Sequence, residues 1–92
     1  MAATLAVRHR FEDFDAWRIA FDEHRAVRMQ YGCTGEAVLS QEGEPNTVLV
    51  LTYWPSLEAA HSFAEDPALP DAMKRGKVVG SPRIEFYEGA VS

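Results

Sequence analysis

The spacing of apolar and polar residues changes several times along this chain, and each change marks an element. Thr47–Trp54 (TVLVLTYW) carries no charge and is apolar at both parities, with Val48, Val50 and Trp54 on one and Leu49, Leu51 and Tyr53 on the other. Strand side chains alternate between faces, so this run predicts a central strand covered on both sides. A buried helix is the competing reading. The run is short and bounded by Pro45-Asn46 and Pro55-Ser56, which favours the strand. Thr4–Phe11 alternates, with Leu5, Val7, His9 and Phe11 on one face and Ala6, Arg8 and Arg10 on the other, and predicts a first strand. From Phe14 to Gln30 the period becomes helical, and Phe14, Trp17, Phe21, His24 and Tyr31 form one stripe. Asp13 is placed to cap the start of that helix, and Gly32 to end it in a left-handed conformation.

The remaining elements are shorter. Thr34–Gln41 is less apolar and reads as an edge strand, joined through the breaker-rich turn Glu42–Asn46 to the central one. Ser56 caps a second helix over Leu57–Glu65, with Leu57, Ala60 and Ala64 as inward positions, and Asp66-Pro67 breaks it. A short helical piece at Leu69–Arg75 ends at Gly76. Lys77–Ser81 reads as a loop, and Pro82 introduces a last strand over Arg83–Glu88. The order β-α-β-β-α-β is that of the ferredoxin-like α+β fold, a four-stranded antiparallel sheet with helices on one face. Right-handed crossovers place the first and third strands in its centre. The uncovered face would still carry large apolar side chains, most simply buried against the same face of a second copy.

Composition narrows the function classes. Ninety-two residues make a single domain (residues 1–92), and 47% hydrophobic with 25% charged residues fits a folded soluble chain. A domain of this size hides only about 60–65% of its unfolded surface, so pairing would stabilise it. The net charge of −5 speaks against a nucleic-acid partner. No apolar run approaches the roughly 20 residues that span a bilayer, and the opening MAATLAVRHR has too short an apolar patch for a signal peptide. The lone Cys33 has no partner for an internal disulfide. A cytoplasmic protein without a membrane partner is expected.

Three stretches, VRHRFEDFDAWRIAFDEH (Val7–His24), VLVLTYWPSLEAAHSFAEDPALPDAM (Val48–Met73) and GKVVGSPRIEFYE (Gly76–Glu88), resemble the antibiotic biosynthesis monooxygenase-like group of dimeric α+β barrel proteins. The resemblance implies a homodimer formed through the sheet face and a small-molecule cavity between helices and sheet. That group includes cofactor-free oxygenases of anthrone and quinol substrates, haem-degrading enzymes, isomerases, polyketide cyclases and members of no known activity. Haem-degrading members show an Asn on the first strand, a Trp ending the third and a His on the second helix. Trp54 and His61 fall in comparable places, but this first strand carries His9, and the only asparagine is Asn46 in a turn. The haem pattern is therefore incomplete.

Within such a cavity His24, on the apolar helical stripe, and His9, on the apolar face of the first strand, are the candidate catalytic bases. Burial would hold both imidazoles neutral near pH 7. The alternative is that each donates to a backbone carbonyl in an ordinary core. Trp17, Phe21, Tyr53, Trp54 and Phe86 are candidates for an aromatic lining, although an aromatic stripe is equally a plain core. Arg28 is placed to steady an enolate or phenolate, or else to complement the helix dipole. His61 has neighbours that predict exposure, and Asp13 reads as a cap. No metal-ligand spacing, phosphate-binding Gly loop or dinucleotide fingerprint occurs, so no cofactor is expected. The leading expectation is a cofactor-independent monooxygenase acting on an aromatic or polyketide-type ligand. An isomerase or cyclase using the same cavity, or a non-catalytic binding protein, are the alternatives.

Overall fold

The computed structural model describes residues 2–89. In chain order the elements are β1 (Ala3–Phe11), α1 (Phe14–Glu23), α2 (Arg25–Gln30), β2 (Gly35–Gln41), β3 (Glu44–Trp54), α3 (Leu57–Ala64), α4 (Leu69–Arg75) and β4 (Val78–Glu88). The strands form one antiparallel sheet in the order β2-β3-β1-β4, with β3 and β1 central as expected. Among the described residues no helix is long and apolar enough to cross a membrane.

Register fixes which side chains share a face. Leu5 lies opposite Thr52 and Phe86, Val7 opposite Val50 and Ile84, and His9 opposite Val48. This face is the one the helices cover. Its core falls into two clusters. One joins Ala3, Leu5 and Trp54 to Ala60 and Phe63 of α3, and the other joins Phe11, Val48 and Val50 to Trp17 of α1. On the opposite face Leu49 sits between Arg8 and Leu39, Leu51 between Ala6 and Ala37, and Tyr53 between Thr4 and Gly35. No helix among the described residues covers that side, and Leu39, Tyr53 and Tyr87 are exposed there.

Local chemistry sets the element ends. The Asp13 side chain accepts from the N–H of Asp15, and the Ser56 hydroxyl accepts from the N–H of Ala59 at 3.1 Å, so both expected caps form. Gly32 adopts φ 98°, the left-handed conformation that closes the first helical region. That region is two helices, α1 and α2, where the periodicity predicts one. His24 takes φ −82° and ψ −2° between them. Its N–H still donates to the Ala20 carbonyl, and its own carbonyl accepts from Arg28, each at 3.1 Å. The bonding ladder therefore continues through the junction while the altered ψ shifts the phase of the next turn. Phe14, expected on the inward stripe, is left 43% exposed, and Arg28 is 3% exposed.

The last strand also differs from the sequence reading, since β4 begins at Val78 and runs through the segment expected as a loop. Gly80 has φ 71° and lies where the pairing with β1 shifts register between Arg8 and Arg10. A bulge absorbs the glycine. Pro82 is tolerated because β4 is an edge strand, where a missing N–H leaves no neighbour unpaired.

Candidate functional site

The two core clusters do not meet. Between them lies a cavity of about 90 Å³, walled by Leu5, Val7 and His9 of β1, Trp17 and Phe21 of α1, His24, Arg28, Val50 of β3, and Phe63, Leu69 and Met73 from α3 and α4. Ile84 of β4 lines it and is 43% exposed, which puts the mouth on the β4 side. The walls are almost wholly apolar, and three buried polar residues, His9, His24 and Arg28, stand among them.

His9 is fixed by its neighbour. The Trp17 indole N–H donates to His9 Nε2 at 2.7 Å, within a buried ring pair whose centroids are 5.7 Å apart. An indole nitrogen only donates, so Nε2 carries no proton and the neutral ring carries its proton on Nδ1. Burial pushes the His9 pKa down to about 4, so this neutral form holds at neutral pH. Nδ1 is buried with no hydrogen-bond partner among the described residues. His9 therefore lines the cavity as a neutral ring whose remaining polar atom, Nδ1–H, is a buried donor.

His24 stands against Phe63, ring centroids 5.7 Å apart, and its Nε2 is buried without a partner among the described residues. Burial is the main cause that lowers its pKa. Arg28 and Arg75 act in the same direction and Asp66 opposes them. Asp66 also accepts from the Tyr31 hydroxyl and, at 2.7 Å, from the N–H of Ala68, which ties the α3–α4 turn to the end of α2.

Arg28 lies one turn beyond His24. Its guanidinium donates to the Phe21 carbonyl at 2.9 Å, reaches Glu36 at 3.4 Å and stands 3.9 Å from the Phe21 ring centroid. Arg25 reaches the same carboxylate at 3.4 Å. Two guanidinium groups thus share one carboxylate. Burial pulls the Arg28 pKa down while Glu36 pulls it up, and Arg28 Nε–H is buried without a partner among the described residues.

The structure gathers His9, Trp17, Phe21, His24 and Arg28 at one cavity. It separates three other residues that the sequence suggested as lining. Tyr53 is on the opposite sheet face and 38% exposed. Trp54 is fully buried in the core beyond the cavity, its indole N–H donating to Thr52 Oγ1 at 2.8 Å. Phe86 packs outside the cavity beneath the exposed ring of His61, centroids 3.8 Å apart. Phe63 and Met73 are walls that sequence reasoning missed. Phe63, three residues after the inward Ala60, had the spacing to be found, whereas Met73 depends on where α4 docks.

No family model matches the sequence, and no curated protein matches it. The fold does match solved structures. SnoaB, a cofactor-independent oxygenase from Streptomyces nogalater, superposes with a TM-score of 0.79 at 11% identity, covering 99% of this chain and 95% of that one. A candidate antibiotic biosynthesis monooxygenase from Bordetella bronchiseptica gives 0.81 at 11% identity, covering 98% of each chain. Another from Deinococcus radiodurans gives 0.67 at 19% identity, covering 100% of this chain and 95% of that one. The chain thus has the ferredoxin-like α+β fold of the antibiotic biosynthesis monooxygenase structures.

Proposed function

We propose that this chain is the subunit of a homodimeric, cofactor-independent monooxygenase that acts on an aromatic or polyketide-type small molecule in the helix–sheet cavity. One observation carries the reading. Among the described residues three buried polar atoms, His9 Nδ1, His24 Nε2 and Arg28 Nε, have no partner, and all three residues line the same cavity. An unpaired buried polar group costs about 1–3 kcal/mol, so three together fit a site kept open for a ligand better than a packing core. The likeness of fold to SnoaB, itself a cofactor-independent oxygenase, supports the reaction class.

In this reading His24 is the general base, neutral and with a free ring nitrogen. Its lowered pKa makes it a weak base, suited to an acidic phenolic or doubly activated C–H proton. His9 Nδ1–H and Arg28 hold the anion that forms. The electron-rich carbanion reacts with dioxygen to give a peroxide anion, which takes back the proton held by His24 and becomes a hydroperoxide. Loss of water then converts the CH2 group to a carbonyl, one oxygen atom going to product and the other to water. The apolar walls limit the water that reaches the anion.

The second copy belongs to the same reading. Leu39, Leu49, Leu51 and Tyr53 form an apolar strip on the uncovered face, and Arg8, Arg83 and Glu85 lie on that face too. A strip flanked by charges of both signs can pair with itself across a two-fold axis.

Oxygen consumption with quinol and anthrone substrates tests the proposal. The wild-type chain should accelerate uptake over buffer, His24→Ala should lose most of that acceleration, and under labelled dioxygen the product should carry one labelled oxygen atom. Uptake no faster than buffer for wild type and variant alike would sink the oxygenase. Turnover with no oxygen incorporated would replace it with an isomerase or cyclase.

A further inference from the structure

The cavity meets solvent where β4 departs from its partner strand. Arg83 lies opposite Arg8 and Val79 opposite Arg10, so Gly80, Ser81 and Pro82 stand across from the single residue His9. An unbroken antiparallel ladder sets one residue opposite one. Here the extra residues bulge away, with Gly80 at φ 71° and no heavy atom beyond its chain neighbours within 4 Å of where a Cβ would stand. None of the three lines the cavity, whose β4 walls are Val78 on one side of the bulge and Ile84 on the other. The facing strand bears the mark of the same opening. Leu5 and His9 are buried, yet Val7 between them, on the same face of a central strand, is only half-buried. Its neighbour on β4 is the exposed Ile84. Leu69 and Met73 of α4 also line the cavity and are half-buried, whereas His9, Trp17, His24 and Arg28 are buried. A ligand arriving from solvent therefore meets these apolar rim residues first, and Ile84 is the most exposed of them.

We infer that Ile84, beside the β4 bulge, is the gate of the cavity and a specificity-determining residue: it sorts aromatic ligands by width through the rates at which they enter and leave. A side chain that obstructs a passage raises the barrier to entry and to exit alike, so it changes both rates and leaves their ratio. The inference rests on the reading above that this cavity is the functional site. Ile84 shares its sheet face with Val7, the face that the helices cover, so a second copy on the opposite face leaves the gate clear.

The two-ring phenol 1-naphthol is the probe, its binding followed by stopped-flow quenching of tryptophan fluorescence, since Trp17 is a wall of the cavity. Ile84→Ala should raise the association and dissociation rates together and Ile84→Trp should lower both, each by roughly tenfold, while Kd stays within about threefold. The wider, three-ring 9-phenanthrol should show the larger change. Should Ile84→Trp not fold, Ile84→Ala decides, because truncating an exposed side chain on an edge strand leaves the core intact. Equal rates in all three proteins, a change confined to dissociation, or no saturable binding of 1-naphthol to wild type would each overturn the gate. The rates are read without turnover, which separates the two readings. Gating with no oxygen uptake on any substrate would keep the gate and remove the oxygenase. Uptake by a wild type whose 1-naphthol rates neither variant moves would do the reverse.

Discussion

An imidazole that accepts from an indole cannot also accept from a substrate through the same nitrogen, and this settles the state in which His9 meets the cavity. The consequence reaches stability. Above pH 6.5 His9 is neutral in the folded and the unfolded chain alike. Between pH 6.5 and about 4 the unfolded chain takes up a proton that the folded chain refuses, so stability falls as pH drops through that window. Below about 4 both forms are protonated and the loss stops growing. By pH 5 the loss amounts to about 2 kcal/mol, at about 1.4 kcal/mol per tenfold. His9→Phe removes this contribution, while His24, lowered in the same direction, titrates in both proteins. Urea unfolding at about pH 7.5 and at pH 5 should therefore show the variant losing about 2 kcal/mol less than wild type. Equal losses would mean that His9 is not held neutral. At this scale the sequence was legible in part. The parity of His9 with Leu5 and Val7, and the helical stripe through Trp17, Phe21 and His24, point all of them into one layer. The same parity rule separates Tyr53 from Trp54, since adjacent strand residues face opposite ways. The bond between Trp17 and His9, and that between Tyr31 and Asp66, join residues on different elements and leave no local pattern.

Among the elements, α3 shows how much rests on one cap. It has eight residues, short for a helix that must hold Ala60 and Phe63 against Leu5 and Trp54. The Ser56 hydroxyl satisfies the N–H of Ala59 at its start. Ser56→Ala should cost about 1 kcal/mol and lower the melting temperature by roughly 4–8 °C, read by thermal unfolding at neutral pH. An unchanged melting temperature would show that packing alone holds α3. The predicted caps were found because a cap is a local pattern of side chain and backbone. The junction at His24 was not, because no Pro or Gly marks it and the stripe continues across it. The start of β4 was missed for the opposite reason. Gly80 and Pro82 are breakers in isolation, yet a bulge on an edge strand accommodates both. Whether a breaker breaks depends on which edge the strand occupies, and that is decided by the whole sheet.

Across the whole molecule, the sheet has one face filled by helices and one left with leucines and tyrosines among charges. The charge-free run in β3 explains why, because Val48, Val50 and Trp54 serve the inner core while Leu49 and Leu51 serve the outer face. Within one subunit Leu51 is half-buried between Ala6 and Ala37, so a carboxylate there can still reach water. In a dimer paired through this face it would be enclosed against an apolar partner, where an unpaired charge is not tolerated. Leu51→Asp should thus leave the subunit folded and abolish pairing. Light scattering should report twice the 10.3 kDa subunit mass for wild type and the subunit mass for the variant, with far-ultraviolet circular dichroism alike in both. A wild type that runs as a monomer, or a variant that keeps the doubled mass, would remove the second copy from the architecture. It would also leave the apolar strip without an occupant.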